Sequence, residues 1–183
     1  VRGVYNADQA RAFVNELMTV PECIKRVIAD KKTLRDIAHG IMDAEDVFMI
    51  GRGLDYTALL EGSLKLKEIS YIHSEAYASG ELKHGTIALV TDKTPVITLM
   101  TQSAVLSKER SNAIEVMARG AKVIAFTKED TEFENPQQWE RIYRLPSLRD
   151  ELMVFPAVVA LQLVAFYVSR DKGLDVDKPR NLA

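Results

Sequence analysis

Glu61, Lys65 and Glu68 fall at spacings of four and three in one segment, and His84 follows between Lys83 and Gly85. On a helix, positions i, i+4 and i+7 share a side, so a carboxylate, an ammonium and a second carboxylate point the same way. A carboxylate that takes a proton from one carbon and returns it to the next is the working part of an isomerisation. Such a base must not be so acidic that it never binds the proton, nor so weakly acidic that it is always neutral; a neighbouring lysine lowers its pKa and burial raises it. Histidine both gives and takes a proton near neutral pH, as the opening of a sugar ring requires. The same charges could equally form a solvated helix face with favourable i, i+4 and i, i+3 pairs. Context tips the balance: the segment follows a glycine turn, Gly51-Arg52-Gly53, and a lysine, a glutamate and a histidine stand close together in sequence near one expected cleft. His39 and His73 are read as structural.

The elements that must position these residues alternate between helix and strand. Helical spacing covers 8–18 and 21–42, with Pro21 in a first-turn position. The apolar run 46–50 reads as a strand ended by Gly51, and 55–70 as a helix that uses Leu59, Leu60, Leu64 and Leu66 to bury one side. An extended piece at 72–77 and a short helix at 79–84 follow. Further strands are expected at 95–100, 122–126 and 142–145, with helices at 104–119 and 149–170. Strands alternating with helices imply a parallel sheet covered on both faces. Ligands of such sheets bind at the carboxyl ends of the strands, where the Gly51 turn, the loop at Thr101 and the segment near His84 are expected to gather.

Bulk properties narrow the function class. The chain has 183 residues, a formal net charge of −2 and one cysteine, Cys23. That length suits a single domain, here residues 1–183, with a helical lead-in over 1–42 and a polar tail over 173–183. The near-neutral charge gives no basic footprint for nucleic acid. A lone cysteine permits no internal disulfide and supplies no metal-ligand spacing, so neither metal nor cofactor is expected and a cytoplasmic location is. The apolar run 152–168 is interrupted by Pro156 and Gln162, and it reads as a buried core helix rather than a membrane span. The start at Val1 without methionine and the end at Arg180-Asn181-Leu182-Ala183 look like a piece of a longer protein.

Two motifs carry less. Gly51-Arg52-Gly53 lies where a phosphate loop would, but Tyr56 occupies the third glycine position of a dinucleotide fingerprint and no Walker pattern is present. Thr101-Gln102-Ser103 offers hydroxyls and free N–H groups at a helix start, which suits a phosphate. An ordinary N-cap is the favoured reading, so Thr101 and Ser103 are weak substrate-binding candidates.

The stretch Glu61-Gly62-Ser63-Leu64-Lys65-Leu66-Lys67-Glu68-Ile69-Ser70, with Glu81-Leu82-Lys83-His84-Gly85 and the closing Asp175 to Ala183, resembles the glutamine–fructose-6-phosphate aminotransferase (isomerising), or glucosamine-6-phosphate synthase, family. The resemblance covers essentially the whole chain and is to the second of two sugar isomerase (SIS) domains. It implies a flavodoxin-like three-layer α/β sandwich around a five-stranded parallel sheet. It implies that ammonia from a separate glutaminase domain reaches fructose 6-phosphate and that the imine is isomerised to glucosamine 6-phosphate. By the same resemblance Glu68 is the base between C1 and C2, Lys65 the cation beside it, and His84 the ring-opening group, serving the neighbouring subunit of a homodimer. The glutaminase cysteine, the first SIS domain with the main phosphate loop, and a lysine placed just past Ala183 are lacking, so the chain alone is expected to have little or no synthase activity.

Other readings stay open on the residues themselves. A ketose–aldose phosphate isomerase without amination would use the same proton shuttle. A phosphosugar-sensing module would not need Lys65, Glu68 and His84 together. A dimerisation domain would explain the apolar helix but not the polar face of 55–70.

Overall fold

The computed structural model describes residues 5–180. Five strands form one parallel sheet: β1 (Asp46–Gly51), β2 (His73–Ala78), β3 (Pro95–Met100), β4 (Lys122–Lys128) and β5 (Arg141–Leu145), in the order β2-β1-β3-β4-β5. From β1 the chain passes outward to β2, then returns past β1 to β3, so the connections diverge between β1 and β3. This divergence creates the crevice that open parallel sheets use for ligands.

Alternation along the strands assigns the two faces. Val47 and Met49 of β1 join one core cluster with Ile97, Leu99, Ile124 and Phe126, whereas Phe48 and Ile50 join a second with Val96, Val123 and Ala125. Period-2 burial of this kind is what a strand covered on both sides must show. The first face carries α2 (Val20–Ala29), α3 (Lys31–Ile41), α4 (Leu54–Ser70) and α6 (Val154–Asp171). On the second lie α5 (Leu106–Met117) and two short 3₁₀ segments, Ser79–His84 and Thr86–Leu89. The expected three-layer sandwich is therefore the observed one.

Two details differ from the sequence reading. The helix expected over 21–42 is two helices, because Asp30 leaves helical geometry (φ −83°, ψ 50°) and its carboxylate accepts from the Thr33 N–H at 3.4 Å, capping α3. The lead-in is also no appendage: Val20, Val27, Leu34, Ile37, Ala38 and Ile41 are core residues. Within the lead-in only α1 (Ala7–Leu17) buries none of its residues, and Glu16 ties it down by accepting from Arg149 N–H and Nε.

The apolar helix α6 lies against α2, α3 and α4. Length and composition alone would let it cross a membrane, but Ala157, Ala160, Leu161, Val164, Ala165 and Val168 are buried, as expected of a core helix. Its approach to α4 requires Gly62, where an added Cβ would stand 2.7 Å from Leu161 Cδ1. Leu59 and Leu66 bury against this layer, whereas Leu60 and Leu64, expected to do the same, are 46% and 51% exposed. The helix is narrower on its buried side than its leucine content suggests.

Candidate functional site

The carboxyl end of the sheet gathers the three expected segments. Gly53 adopts φ 58°, ψ −126°, a conformation costly for any residue with a Cβ, and this lets the chain turn sharply from β1 into α4. The Arg52 side chain then lies against Gly80 at the end of β2. In the first turn of α4, Asp55 is 4% exposed and accepts from Thr101 N–H (2.8 Å), Thr101 Oγ1 (2.5 Å) and Gln102 N–H (3.3 Å). Ser103 donates its N–H (2.6 Å) and hydroxyl (2.8 Å) to Asp150, which also accepts from Lys128 Nζ at 2.6 Å. Burial pushes the Asp55 carboxyl above its ordinary pKa. Burial acts the same way on Asp150, but the Lys128 ammonium and the Ser103 donors outweigh it and hold that carboxyl low.

The loop at Thr101 is thus an anion-binding loop that the chain fills with its own carboxylates. The N-cap reading fails, since no side-chain cap bond forms at either the 3₁₀ turn Ser103–Val105 or the start of α5. Thr101 and Ser103, the weak substrate-binding candidates, already donate both their N–H and hydroxyl groups to Asp55 and Asp150.

Lys65 and Glu68 lie elsewhere. Because α4 starts at the carboxyl end of β1 and runs back to feed β2, Glu68 lies about 20 Å down the helix from Leu54, near the amino ends of the strands. The expected common cleft does not form within one protomer. Lys65 Nζ donates to Glu68 Oε2 at 2.7 Å, with side chains 34% and 25% exposed. That bond holds the Lys65 ammonium above its ordinary pKa. The Gln162 amide of α6 donates to Glu61 at 3.4 Å on the same side of α4.

The pair opens onto a cavity of about 420 Å³ lined by Ile69, Gln162, Phe166, Val176, Asp177 and Pro179. Its far wall is the tail, which folds back over the end of α4. Arg180 donates its N–H to the Tyr71 hydroxyl at 3.1 Å and stacks its guanidinium 4.1 Å from that ring. The last three residues of the tail motif, Asn181 to Ala183, lie outside the described residues.

His84 stands on the other face of the sheet, at the end of a 3₁₀ segment that packs with α5. Its ring is 74% exposed and Nδ1 lies 2.7 Å from Glu81 Oε2. Glu68 and His84 therefore lie on opposite faces of the sheet and do not share a pocket in one protomer.

The SIS domain pattern matches residues 40–167, most of the chain. The chain belongs to the SIS domain family. Over its whole length this SIS domain is 45% identical to a glutamine–fructose-6-phosphate aminotransferase (isomerising) of Caldanaerobacter subterraneus and 44% identical to one of Clostridium acetobutylicum. It spans about 30% of the length of these curated relatives. The C-terminal domain of the glucosamine-fructose-6-phosphate aminotransferase from Francisella tularensis superposes with a TM-score of 0.86 and 35% identity, over 94% of this chain and 48% of that one. The tagatose-6-phosphate ketose/aldose isomerase from Escherichia coli shares the fold (TM-score 0.70, 20% identity, 84% of this chain and 43% of that one).

The residues that sequence reasoning passed over are the buried acids Asp55 and Glu109 and the partly exposed Asp150. Glu109 left the clearest trace. It is spaced i, i+4, i+7 with Ala113 and Val116, so a charged residue occupies the buried stripe of α5.

Proposed function

We propose that this SIS domain is part of the isomerising half of a glutamine–fructose-6-phosphate aminotransferase, making glucosamine 6-phosphate from fructose 6-phosphate and glutamine-derived ammonia in the cytoplasm. The observation that carries this reading is the Lys65–Glu68 pair, 2.7 Å apart and facing a cavity of sugar size, in a chain similar along its whole length to such aminotransferases. With nitrogen installed at C2 of the sugar as an imine, Glu68 removes a proton from C1. The C–H electrons form a C1–C2 double bond, and the C–N π electrons move to nitrogen. Return of the proton to C2, with the C1 hydroxyl proton passing to nitrogen, leaves an aldehyde at C1 and an amine at C2. The positive charge of Lys65 stabilises the carboxylate before the transfer.

His84 would open the ring of a sugar held by a second copy, so the active assembly is a homodimer. Its exposure, and its place on the face opposite Glu68, support that division of labour. The glutaminase, the first SIS domain and the phosphate site are supplied by parts of the protein beyond this chain. In keeping with that, the Thr101 loop here is saturated by carboxylates. The isolated chain is accordingly expected to form little or no glucosamine 6-phosphate.

The test is Glu68→Gln in the complete enzyme. Glucosamine 6-phosphate formation is expected to fall about 10²- to 10⁴-fold while fructose 6-phosphate still binds, the range typical of removing a positioned general base. Unchanged turnover would make the Glu61–Lys65–Glu68 face a solvated or interface surface and end this reading.

A further inference from the structure

Glu109 is the most buried acid among the described residues, 1% exposed, and the chemistry proposed above gives it no task. A carboxylate on the sheet-facing stripe of a helix is retained only if donors replace the water it has lost. Ser79 Oγ donates to it at 2.5 Å and Thr98 Oγ1 at 2.8 Å. Arg52 Nε stands 3.9 Å away, buried and without a hydrogen-bond partner, so Glu109 is the nearest neutralising charge for it. Asn112, on the same face of α5, donates to Ser79 Oγ at 2.8 Å. One carboxylate therefore joins the turn after β1, the middle of β3, α5 and the first residue of the segment that ends in His84.

Two other contacts hold that segment, one apolar and one ionic. Leu82 is buried in the second core cluster, and Lys83 reaches Glu115 of α5 at 2.8 Å through a side chain that is 68% exposed. Exposed ion pairs fix geometry weakly. Gly80 leaves room for the Arg52 guanidinium, since an added Cβ would be 3.1 Å from it, so the backbone at the root of the segment is shaped around this hub.

We propose that Glu109 is a positioning residue: through Ser79 it anchors the segment 79–84 to α5 and fixes where His84 is presented. Its catalytic consequence rests on the reading that His84 serves the reaction. Anchoring a short segment by one buried hub matters because a misplacement of about 1 Å can cost a reaction about 10²-fold.

The experiment uses the complete enzyme with Glu109→Leu, His84→Asn and the two combined. Ser79→Ala serves as a second route to the same loss, should the leucine variant not fold. Hydrogen exchange of the 79–84 amides is expected to speed up about tenfold or more, with β1 and α6 unchanged. Turnover is expected to fall about tenfold with KM for fructose 6-phosphate within about twofold, as for a lost transition-state arrangement. In the His84→Asn background, Glu109→Leu should cost no further rate, because a residue acting through another adds nothing once that other is gone. Unchanged exchange over 79–84 in both Glu109→Leu and Ser79→Ala overturns the anchor. Additive losses in the double variant overturn the route through His84. If His84→Asn itself leaves turnover untouched, the catalytic role of His84 falls instead, and the exchange data alone still decide the anchor.

Discussion

The two ends of the sheet hold acids in opposite states. At the carboxyl end, Asp55 and Glu109 are 4% and 1% exposed and surrounded by donors from the chain itself. At the amino end, Glu68 is a quarter exposed, bonded to Lys65 and open to a cavity that the tail walls off. Open parallel sheets usually keep their carboxyl-end crevice free for a ligand. In this chain the donors of the Thr101 loop are taken up by its own carboxylates, while a cavity of about 370 Å³ lined by Thr101, Ser103, Arg110 and Lys128 remains beside it. The difference is one of setting: the buried acids tie loops together from inside, while the partly exposed pair faces a cavity that a molecule from outside the protomer can enter.

The largest effect that would break this contrast is on stability. Asp55→Ala strands the Thr101 N–H, the Thr101 hydroxyl and the Gln102 N–H inside the protein. Each orphaned donor costs about 1 kcal/mol or more, so a loss of about 3 kcal/mol is expected on urea denaturation. Glu68→Ala removes a pair that water already reaches, and less than about 1 kcal/mol should be lost. Equal losses at the two positions would mean that the acids at both ends serve the same structural purpose.

The same contrast explains what could be read beforehand. Periodicity disclosed the alternating elements, the core role of 152–168 and the helix carrying Lys65 and Glu68, because each depends on local spacing. The break at Asp30 was missed because Ile24 to Ile41 keep helical spacing across it, and a single cap bond decides the geometry. The shared cleft for Glu68 and His84 was misplaced for another reason. Closeness in sequence ignores the direction of α4, which carries Glu68 back to the amino ends of the strands. Asp55 and Asp150 left no local signal, and Glu109 only a charge on an apolar stripe, because their partners, Thr101, Ser103 and Ser79, are brought to them by the sheet order rather than by sequence distance. The Thr101 loop was rightly seen as rich in donors, and its acceptors proved to be internal.

A finer effect distinguishes the two acids that share this loop. Asp55 and Asp150 are bound to adjacent residues but titrate in opposite directions, the first raised by burial, the second held low by Lys128 and Ser103 in spite of burial. An acid whose folded pKa is depressed adds stability above its unfolded value, near 3.8, and loses it as pH falls through the folded value. Wild type should therefore exceed Asp150→Asn by about 1 kcal/mol at neutral pH, and the gap should close on acidification below about pH 4. An acid whose folded pKa is raised does the reverse. Its charged form is penalised, so stability declines as pH rises from its unfolded value through the higher folded one. The difference between wild type and Asp55→Asn should then shift in favour of wild type as pH falls through that window. Urea titrations of both variants across the acid range measure the two slopes. Opposite signs would show that one loop is held by both a buried structural acid and a charge-paired one, whereas equal signs would leave that contrast without its electrostatic basis.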